Sequence, residues 1–147
     1  MGVDILKQGG NAVDAAVATA FAMAVTWPTA GNIGGGGFLV YHGEDGHATT
    51  FDFREKAPLA STERMYVGAD GLSTNEQHRG FLSVGVPGTV AGLYQAHQKH
   101  GTLPWSMLVN PSVQLARNGI PVTWSLYSGF RNNQAFWEQF PSSAEVF

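Results

Sequence analysis

A run of four glycines, Gly34–Gly37, interrupts the first third of this 147-residue chain and limits how that part can fold. Residues without a side chain bury no apolar surface, but they allow another backbone or a ligand to approach closely. No Gly-Lys-Ser or Gly-Lys-Thr follows the run, as a phosphate-binding loop requires, and the glycine spacing differs from that of a dinucleotide-binding loop. We therefore expect the run to serve close backbone packing where the chain enters a strand.

A helix and a β-hairpin are predicted on either side of the glycines. Asn11 is a suitable N-cap for a helix over residues 12–25, which is rich in Ala, Val, Phe and Met almost all the way round. Strands are predicted at Phe38–Tyr41 and Ala48–Arg54, on either side of an Asp-Gly turn. We expect the hairpin to lie against this helix, which is covered on most sides.

The second half of the chain is predicted to be mostly helical. Residues 56–80 are irregular in pattern, apart from one helical turn at Ser61–Tyr66. The helices that follow are predicted at residues 89–100, 105–117 and 124–140. This order of elements indicates an α+β fold. Because two strands do not form a stable sheet by themselves, we expect residues 1–147 to be a single partial domain whose sheet is completed elsewhere.

The composition excludes several classes of protein. A formal net charge of −3 argues against a nucleic-acid partner, which normally meets a basic patch. The absence of cysteine excludes disulfide scaffolds, cysteine zinc sites and thiol nucleophiles. The most apolar stretch, residues 15–27, is shorter than the ~20 residues of a membrane-spanning helix. Charged residues make up 13% of the chain, about half the usual fraction, which predicts that more protein covers it.

Histidine and serine spacing predicts neither a metal site nor a catalytic triad. His97 and His100 lie three residues apart on a predicted helix, where their side chains can meet. No acidic residue or third ligand is near them in the sequence, so we expect a solvated helix face. Ser83 lacks the first glycine of a nucleophile elbow, and no Ser-His-Asp triad can be assembled from the spacing. No metal or other cofactor is predicted.

Arg54 is the candidate binding residue, because cations are scarce in this chain and this one follows two strand aromatics. A guanidinium at the end of a strand suits the bidentate binding of a carboxylate. A purely structural role is the alternative, with Arg54 paired to Asp52 on the same face or to Glu55. The spacing taken alone favours the structural role.

Four segments of the chain, in the same order, resemble the γ-glutamyltranspeptidase (glutathione hydrolase) family. They are GGNAVDAA at Gly9–Ala16, GNIGGGGF at Gly31–Phe38, DFRE at Asp52–Glu55 and VPGTVAG at Val86–Gly92. The resemblance covers about residues 3–123, and the four ordered motifs make it specific. Family members often carry His where this chain has Trp27, a difference with no clear consequence.

The resemblance implies part of the αββα sandwich of an N-terminal-nucleophile hydrolase, whose precursor cuts itself into a large and a small subunit. In the family, the new N-terminal Thr of the small subunit attacks a γ-glutamyl amide, and the acyl-enzyme then reacts with water, an amino acid or a peptide. Only the early part of the large subunit is matched, so we expect no catalytic residue in this chain and no activity from it alone. Arg54 matches the family arginine that binds the α-carboxylate of the glutamyl substrate, which reverses the preference for a structural role.

The partners that the resemblance implies are a γ-glutamyl substrate such as glutathione, an acceptor, and the remainder of both subunits. The family also suggests a periplasmic or secreted location. Two alternatives stay open. A cephalosporin or glutaryl acylase of the same superfamily would use Arg54 on a different acyl group, whereas a non-catalytic domain would use it to bind acidic metabolites.

Overall fold

The computed structural model describes residues 1–146, which contain helices and one short β-hairpin. The helices are α1 (Gly2–Lys7), α2 (Ala12–Thr26), α3 (Thr89–His100), α4 (Trp105–Asn118), α5 (Trp124–Asn132), α6 (Gln134–Trp137) and α7 (Pro141–Ala144). The strands are β1 (Phe38–His42) and β2 (Ala48–Asp52), and two short 3-10 helices lie at Asn75–Gln77 and Phe81–Ser83. The predicted α+β order of helix, hairpin and further helices is confirmed.

Helix α2 begins where the sequence predicts. Asn11 Oδ1 accepts hydrogen bonds from the backbone N–H groups of Val13 (2.9 Å) and Asp14 (3.0 Å), and the Asp14 carboxylate accepts one from the Asn11 N–H. This reciprocal cap satisfies donors that the first turn of a helix leaves free. Most residues of α2 are buried or half-buried, as their apolar character predicts.

The two strands pair antiparallel, in a register that sets Phe38 opposite Asp52. The turn between them passes through Gly46, whose φ of 79° is a left-handed conformation that favours glycine. Strand β2 ends two residues earlier than predicted. The reason is that the chain leaves β1 after Phe53 and pairs instead, through Lys56, with Val86.

The hairpin buries one face and leaves the other open within the described residues. Phe51 on the inner face is 5% exposed, whereas Phe38 and Val40 on the outer face are 65% and 75% exposed. This is the alternation expected of a strand with one covered face. The inner face joins a buried core whose members are Ile5, Val13, Val17, Ala18, Phe51, Leu93, Ala96 and Leu108.

The chain divides into two units, Met1–Arg117 and the part from Asn118 onward. In the first unit, α3 and α4 agree closely with the predicted helices. The helical turn predicted at Ser61–Tyr66 is wrong, because the N–H groups of Ser61 and Met65 close separate short turns, on Pro58 and Thr62, rather than a continuous helix. That residues 1–147 act as a single partial domain stays a prediction.

The described part of the second unit contains two short helices, α5 and α6, where the sequence predicts one helix over residues 124–140, and α7 follows them. Thr123 is the N-cap of α5, and its Oγ1 accepts a hydrogen bond from the Leu126 N–H (3.2 Å). Asn133 is the C-cap; its ψ of 7° departs from helical geometry, and its side chain donates to the Gly129 carbonyl (2.8 Å). The single helix predicted over residues 124–140 is therefore corrected to α5 and α6. None of the helices in residues 1–146 combines the length and apolarity needed to cross a membrane.

Candidate carboxylate-binding site

Arg54 follows β2 and is held by its backbone on both sides. On the N-terminal side, Phe53 donates its N–H to the Gly37 carbonyl (3.0 Å) and accepts from the Gly37 N–H (3.4 Å). On the C-terminal side, Lys56 and Val86 exchange two backbone hydrogen bonds, of 3.3 and 2.8 Å. The backbone of Arg54 therefore lies between two pairs of hydrogen bonds that fix its course.

The glycine run packs against this segment through Gly36. A Cβ atom placed on Gly36 lies 2.8 Å from Arg54 Cα and 2.7 Å from the Glu55 nitrogen, closer than real Cβ atoms come to backbone. Gly34, in contrast, has open space around the same position. The expected packing role is thus carried by Gly36, where two backbones meet without a side chain between them.

Two further glycines, at the start of α3, make room for Phe53. A Cβ atom on Gly88 collides with the Phe53 carbonyl oxygen, and one on Gly92 collides with the Phe53 ring. On the opposite side, the same ring lies against Gly37, with 3.0 Å from the position of its Cβ to Phe53 Cε2. Phe53 is therefore held between the glycine run and α3, and Arg54 is the next residue.

The Arg54 guanidinium makes no hydrogen bond or ion pair with any residue between 1 and 146. Asp52 does not pair with the guanidinium; its Oδ1 accepts the backbone N–H of Arg54 (3.0 Å). The structural ion pairs considered from the spacing, with Asp52 or Glu55, are absent from this part of the chain. The side chain of Arg54 is exposed.

Arg54 lines two clefts, and Lys56 lines both of them as well. One cleft, of about 350 Å³, lies against α3 and reaches Gln95. The other, of about 630 Å³, extends to Tyr66. An exposed guanidinium in such a cleft can bind a carboxylate through two parallel N–H···O bonds.

Asp14, a second charged residue, is arranged in the opposite way. It is fully buried, and its carboxylate accepts from the Thr102 hydroxyl (2.6 Å) and from the N–H groups of Thr102 (3.1 Å), Leu103 (3.3 Å) and Asn11 (3.0 Å). Burial by itself raises the pKa of Asp14, but the hydrogen bonds from Thr102, Asn11 and Leu103 outweigh it and hold the pKa below its ordinary 3.8. The charge joins α2 to the loop between α3 and α4.

The histidines of α3 do not form the solvated face that the sequence predicts. His97 is 8% exposed, and its Nε2 lies 2.7 Å from the Leu103 carbonyl oxygen and 3.9 Å from Asp14 Oδ1. His100 is half-buried and its ring stacks on Tyr41, with 3.9 Å between ring centroids. The prediction was wrong because Asp14 and Tyr41 come from distant parts of the chain. Within residues 1–146, no group of three or more acidic or histidine side chains is placed to hold a metal ion.

Sequence reasoning missed two residues beside the site, Asn32 and Thr89. Asn32 Oδ1 accepts hydrogen bonds from the Thr89 hydroxyl (3.0 Å) and from the Gly35 N–H (2.8 Å). Asn32 and Thr89 are 57 residues apart, so no local spacing predicts their contact. The available signal was that both stand inside the segments that resemble the family.

Arg54 lies on a glycine-packed unit of helices and hairpin, its backbone is fixed, and its guanidinium has no partner within residues 1–146. The chain belongs to the γ-glutamyltranspeptidase family, because the family model described as gamma-glutamyltranspeptidase matches residues 1–147. The expected family is thereby confirmed.

Individual proteins agree with this assignment. The chain is 46% identical to a glutathione hydrolase proenzyme of Pseudomonas sp. strain A14 in an alignment of 143 residues that covers 92% of this chain and 25% of that protein. It superposes on the crystal structure of Helicobacter pylori γ-glutamyltranspeptidase with a TM-score of 0.96 and 42% identity, over 99% of this chain and 42% of that one. A cephalosporin acylase from Bacillus halodurans gives a TM-score of 0.78 and 33% identity, over 92% and 26%. The chain thus spans about a quarter of the length of the proenzyme that it matches.

Proposed function

We propose that this chain is the early part of the large subunit of an enzyme that hydrolyses or transfers the γ-glutamyl group of glutathione and related amides. Its membership of the γ-glutamyltranspeptidase family supports this proposal. A second support is that the chain spans only 25% of the length of the Pseudomonas proenzyme, so that a small subunit and a nucleophile can lie outside these residues. The name proenzyme, given to the Pseudomonas relative, fits a precursor that is processed.

Within this proposal, Arg54 binds the α-carboxylate of the glutamyl substrate. The observation that carries the assignment is the contrast between its backbone, fixed on both sides, and its guanidinium, which has no partner in residues 1–146. A planar fork of N–H donors that nothing in the chain uses is free for a carboxylate. Such charge-assisted bonds contribute roughly 1.5–3 kcal/mol each.

Holding the α-carboxylate fixes the position of the γ-amide carbonyl relative to a nucleophile supplied by the rest of the enzyme. In the proposed reaction, an N-terminal Thr hydroxyl attacks that carbonyl carbon and its proton passes to the α-amine of the same Thr. The C–N bond breaks, the leaving amine takes the proton, and an ester is left on the enzyme. Water or an acceptor amine then displaces the Thr oxygen. Arg54 takes part by orienting the substrate for both steps.

Replacing Arg54 with Lys in the complete processed enzyme tests the assignment. Lysine keeps the charge but loses the two parallel donors, so we expect KM for a γ-glutamyl anilide to rise by about tenfold. Self-cleavage, followed on a gel, serves as the control for folding and is expected to be unchanged. A KM equal to that of the wild type would remove Arg54 from the substrate site.

A glutaryl or cephalosporin acylase is the second candidate, supported by the likeness to the Bacillus halodurans acylase. The likeness to the Helicobacter pylori γ-glutamyltranspeptidase is greater in both TM-score and identity, which favours the γ-glutamyl substrate. The two candidates differ in whether the acyl group carries an α-amine. Rates on γ-glutamyl and glutaryl anilides therefore separate them, and faster release from the glutaryl compound would favour the acylase.

A further inference from the structure

We infer that Asn32 and Thr89 are positioning residues for Arg54, and that they act by closing a hydrogen-bonded clasp. The clasp consists of Asn32, Gly35, Gly88 and Thr89. The inference rests on the proposed function, since it gives these residues a part in binding the carboxylate that Arg54 holds. Neither residue is assigned a contact with the substrate.

The clasp ties the glycine run to the first turn of α3. The Thr89 hydroxyl donates to Asn32 Oδ1 (3.0 Å), and the same oxygen accepts the Gly35 N–H (2.8 Å). The Gly35 carbonyl in turn accepts the N–H groups of Gly88 (2.8 Å) and Thr89 (3.0 Å). Of these four hydrogen bonds, only the one from Thr89 to Asn32 joins two side chains, so it can be removed without changing the backbone.

The clasp residue Gly88 and the residue that follows Gly35 both contact the Arg54 segment. Gly36 follows Gly35 and lies against Arg54 Cα, and Gly88 lies against the Phe53 carbonyl. The guanidinium has no partner in the described residues, so within them only the backbone that carries the side chain limits where the guanidinium can reach. A looser clasp lets the glycine run and α3 separate, and the Arg54 fork then spends less time in the orientation that a bidentate contact needs.

Capping and core packing do not account for this side-chain pair. The N-cap of α3 is Gly88, and no side chain caps that helix. The Thr89 hydroxyl donates its hydrogen bond outside α3, to Asn32, which is an exposed residue. A bond between a buried hydroxyl and an exposed loop residue, located beside the arginine segment, orients the loop more than it stabilises the core.

Thr89→Val in the complete processed enzyme tests the inference with two substrates. The substrates are a γ-glutamyl anilide and a 4-aminobutyryl anilide, which differ only in the α-carboxylate. We expect Thr89→Val to lower kcat/KM for the γ-glutamyl anilide by about fivefold, as loss of one neutral hydrogen bond predicts. The value for the 4-aminobutyryl anilide is expected to change less than about twofold, because that substrate has no carboxylate for Arg54 to bind.

Thr89→Ser keeps the hydroxyl and is expected to restore the preference for the γ-glutamyl anilide. Thr19→Val is the matched control, since the Thr19 hydroxyl donates within α2 to the Ala15 carbonyl and is distant from Arg54 in the sequence. A parallel loss on both substrates, or equal behaviour of the Ser and Val variants, would overturn the inference in favour of a general structural role. If Thr89→Val gives no processed enzyme, Asn32→Ala, at an exposed position, is judged by the same criteria.

A double variant separates failure of this inference from failure of the proposed function. In an Arg54→Ala background, Thr89→Val is expected to have no further effect on either substrate, since the two residues act on one contact. A full additional loss in that background means that Thr89 acts elsewhere, and the inference falls while Arg54 keeps its role. If Arg54→Ala alone leaves the preference for the γ-glutamyl over the 4-aminobutyryl anilide unchanged, the proposed role of Arg54 is wrong. The positioning role of the clasp is then wrong as well.

Discussion

Asp14 and Arg54 are two charged residues that the fold treats in opposite ways. The Asp14 carboxylate is fully buried and accepts hydrogen bonds from three residues that belong to two separate parts of the chain. Arg54 is exposed, and its guanidinium has no partner within residues 1–146, although its backbone is fixed on both sides. The chain supplies hydrogen-bond donors to the Asp14 carboxylate, whereas for Arg54 it fixes only the backbone that carries the side chain.

The difference separates a structural charge from one available to a ligand. A buried carboxylate without donors costs several kcal/mol, so the network around Asp14 is a condition for folding. An exposed guanidinium costs little to leave unpaired, so folding requires no partner for Arg54 within residues 1–146. The guanidinium is therefore available to a ligand, and the proposed ligand is a carboxylate.

The largest effect on stability is expected from Asp14→Ala. Removing the carboxylate leaves the N–H groups of Thr102, Leu103 and Asn11 and the Thr102 hydroxyl without an acceptor, which predicts a loss of about 4 kcal/mol in the free energy of unfolding. Denaturant midpoints of the complete protein measure the loss. Asp70→Asn is the control, because Asp70 is exposed and accepts one backbone hydrogen bond, from Leu72. If Asp14→Ala and Asp70→Asn have similar denaturant midpoints, the Asp14 carboxylate is not a structural charge.

Arg54→Ala is expected to give the complementary result. We predict a fall of about 100-fold in kcat/KM for a γ-glutamyl anilide, equivalent to about 2.7 kcal/mol of lost charge-assisted bonding. Its denaturant midpoint is expected to stay close to that of the wild type, because the guanidinium contributes no bond within the described residues. A large loss of stability would instead assign Arg54 to the fold.

The support beneath Arg54 is tested by Gly92→Ala. The added methyl group meets the Phe53 ring, and overpacking of this kind costs about 2 kcal/mol. Gly129→Ala is the matched control, since Gly129 is also inside a helix and its Cβ position is open. Equal unfolding free energies for the two variants would argue against close packing of Phe53 on α3.

The smallest effect is on the pH dependence of stability. The pKa of Asp14 is lowered in the folded protein, mainly through a balance of burial, which raises it, against the Thr102 and backbone hydrogen bonds, which lower it. The stability it contributes is present above its ordinary pKa of 3.8 and is lost as the pH falls through the folded value. The difference between wild type and Asp14→Ala should therefore shrink in acid, and a difference that grows below pH 3.8 would contradict the sign.

Local signals in the sequence predicted most of the first unit. The N-cap at Asn11, the Asp-Gly turn and the helices predicted at residues 89–100 and 105–117 each depend on neighbouring residues, and each was found. Arg54 was chosen for its chemistry and from a family motif. The partners of Asp14, the burial of His97 and the contact of Asn32 with Thr89 were out of reach, because each joins segments far apart in the chain. The break at Asn133 was missed because the amphipathic pattern continues across it.

Because Phe53 packs directly against Gly92, the order in which these two positions change during evolution affects stability. If the phenylalanine is first replaced by a smaller residue, the gap that forms costs stability but obstructs nothing, and alanine can later fill part of it at the glycine position. If the glycine changes first, the intermediate contains the collision itself. Lineages with alanine at the position of Gly92 are therefore expected to descend from ancestors that had already lost the large aromatic ring.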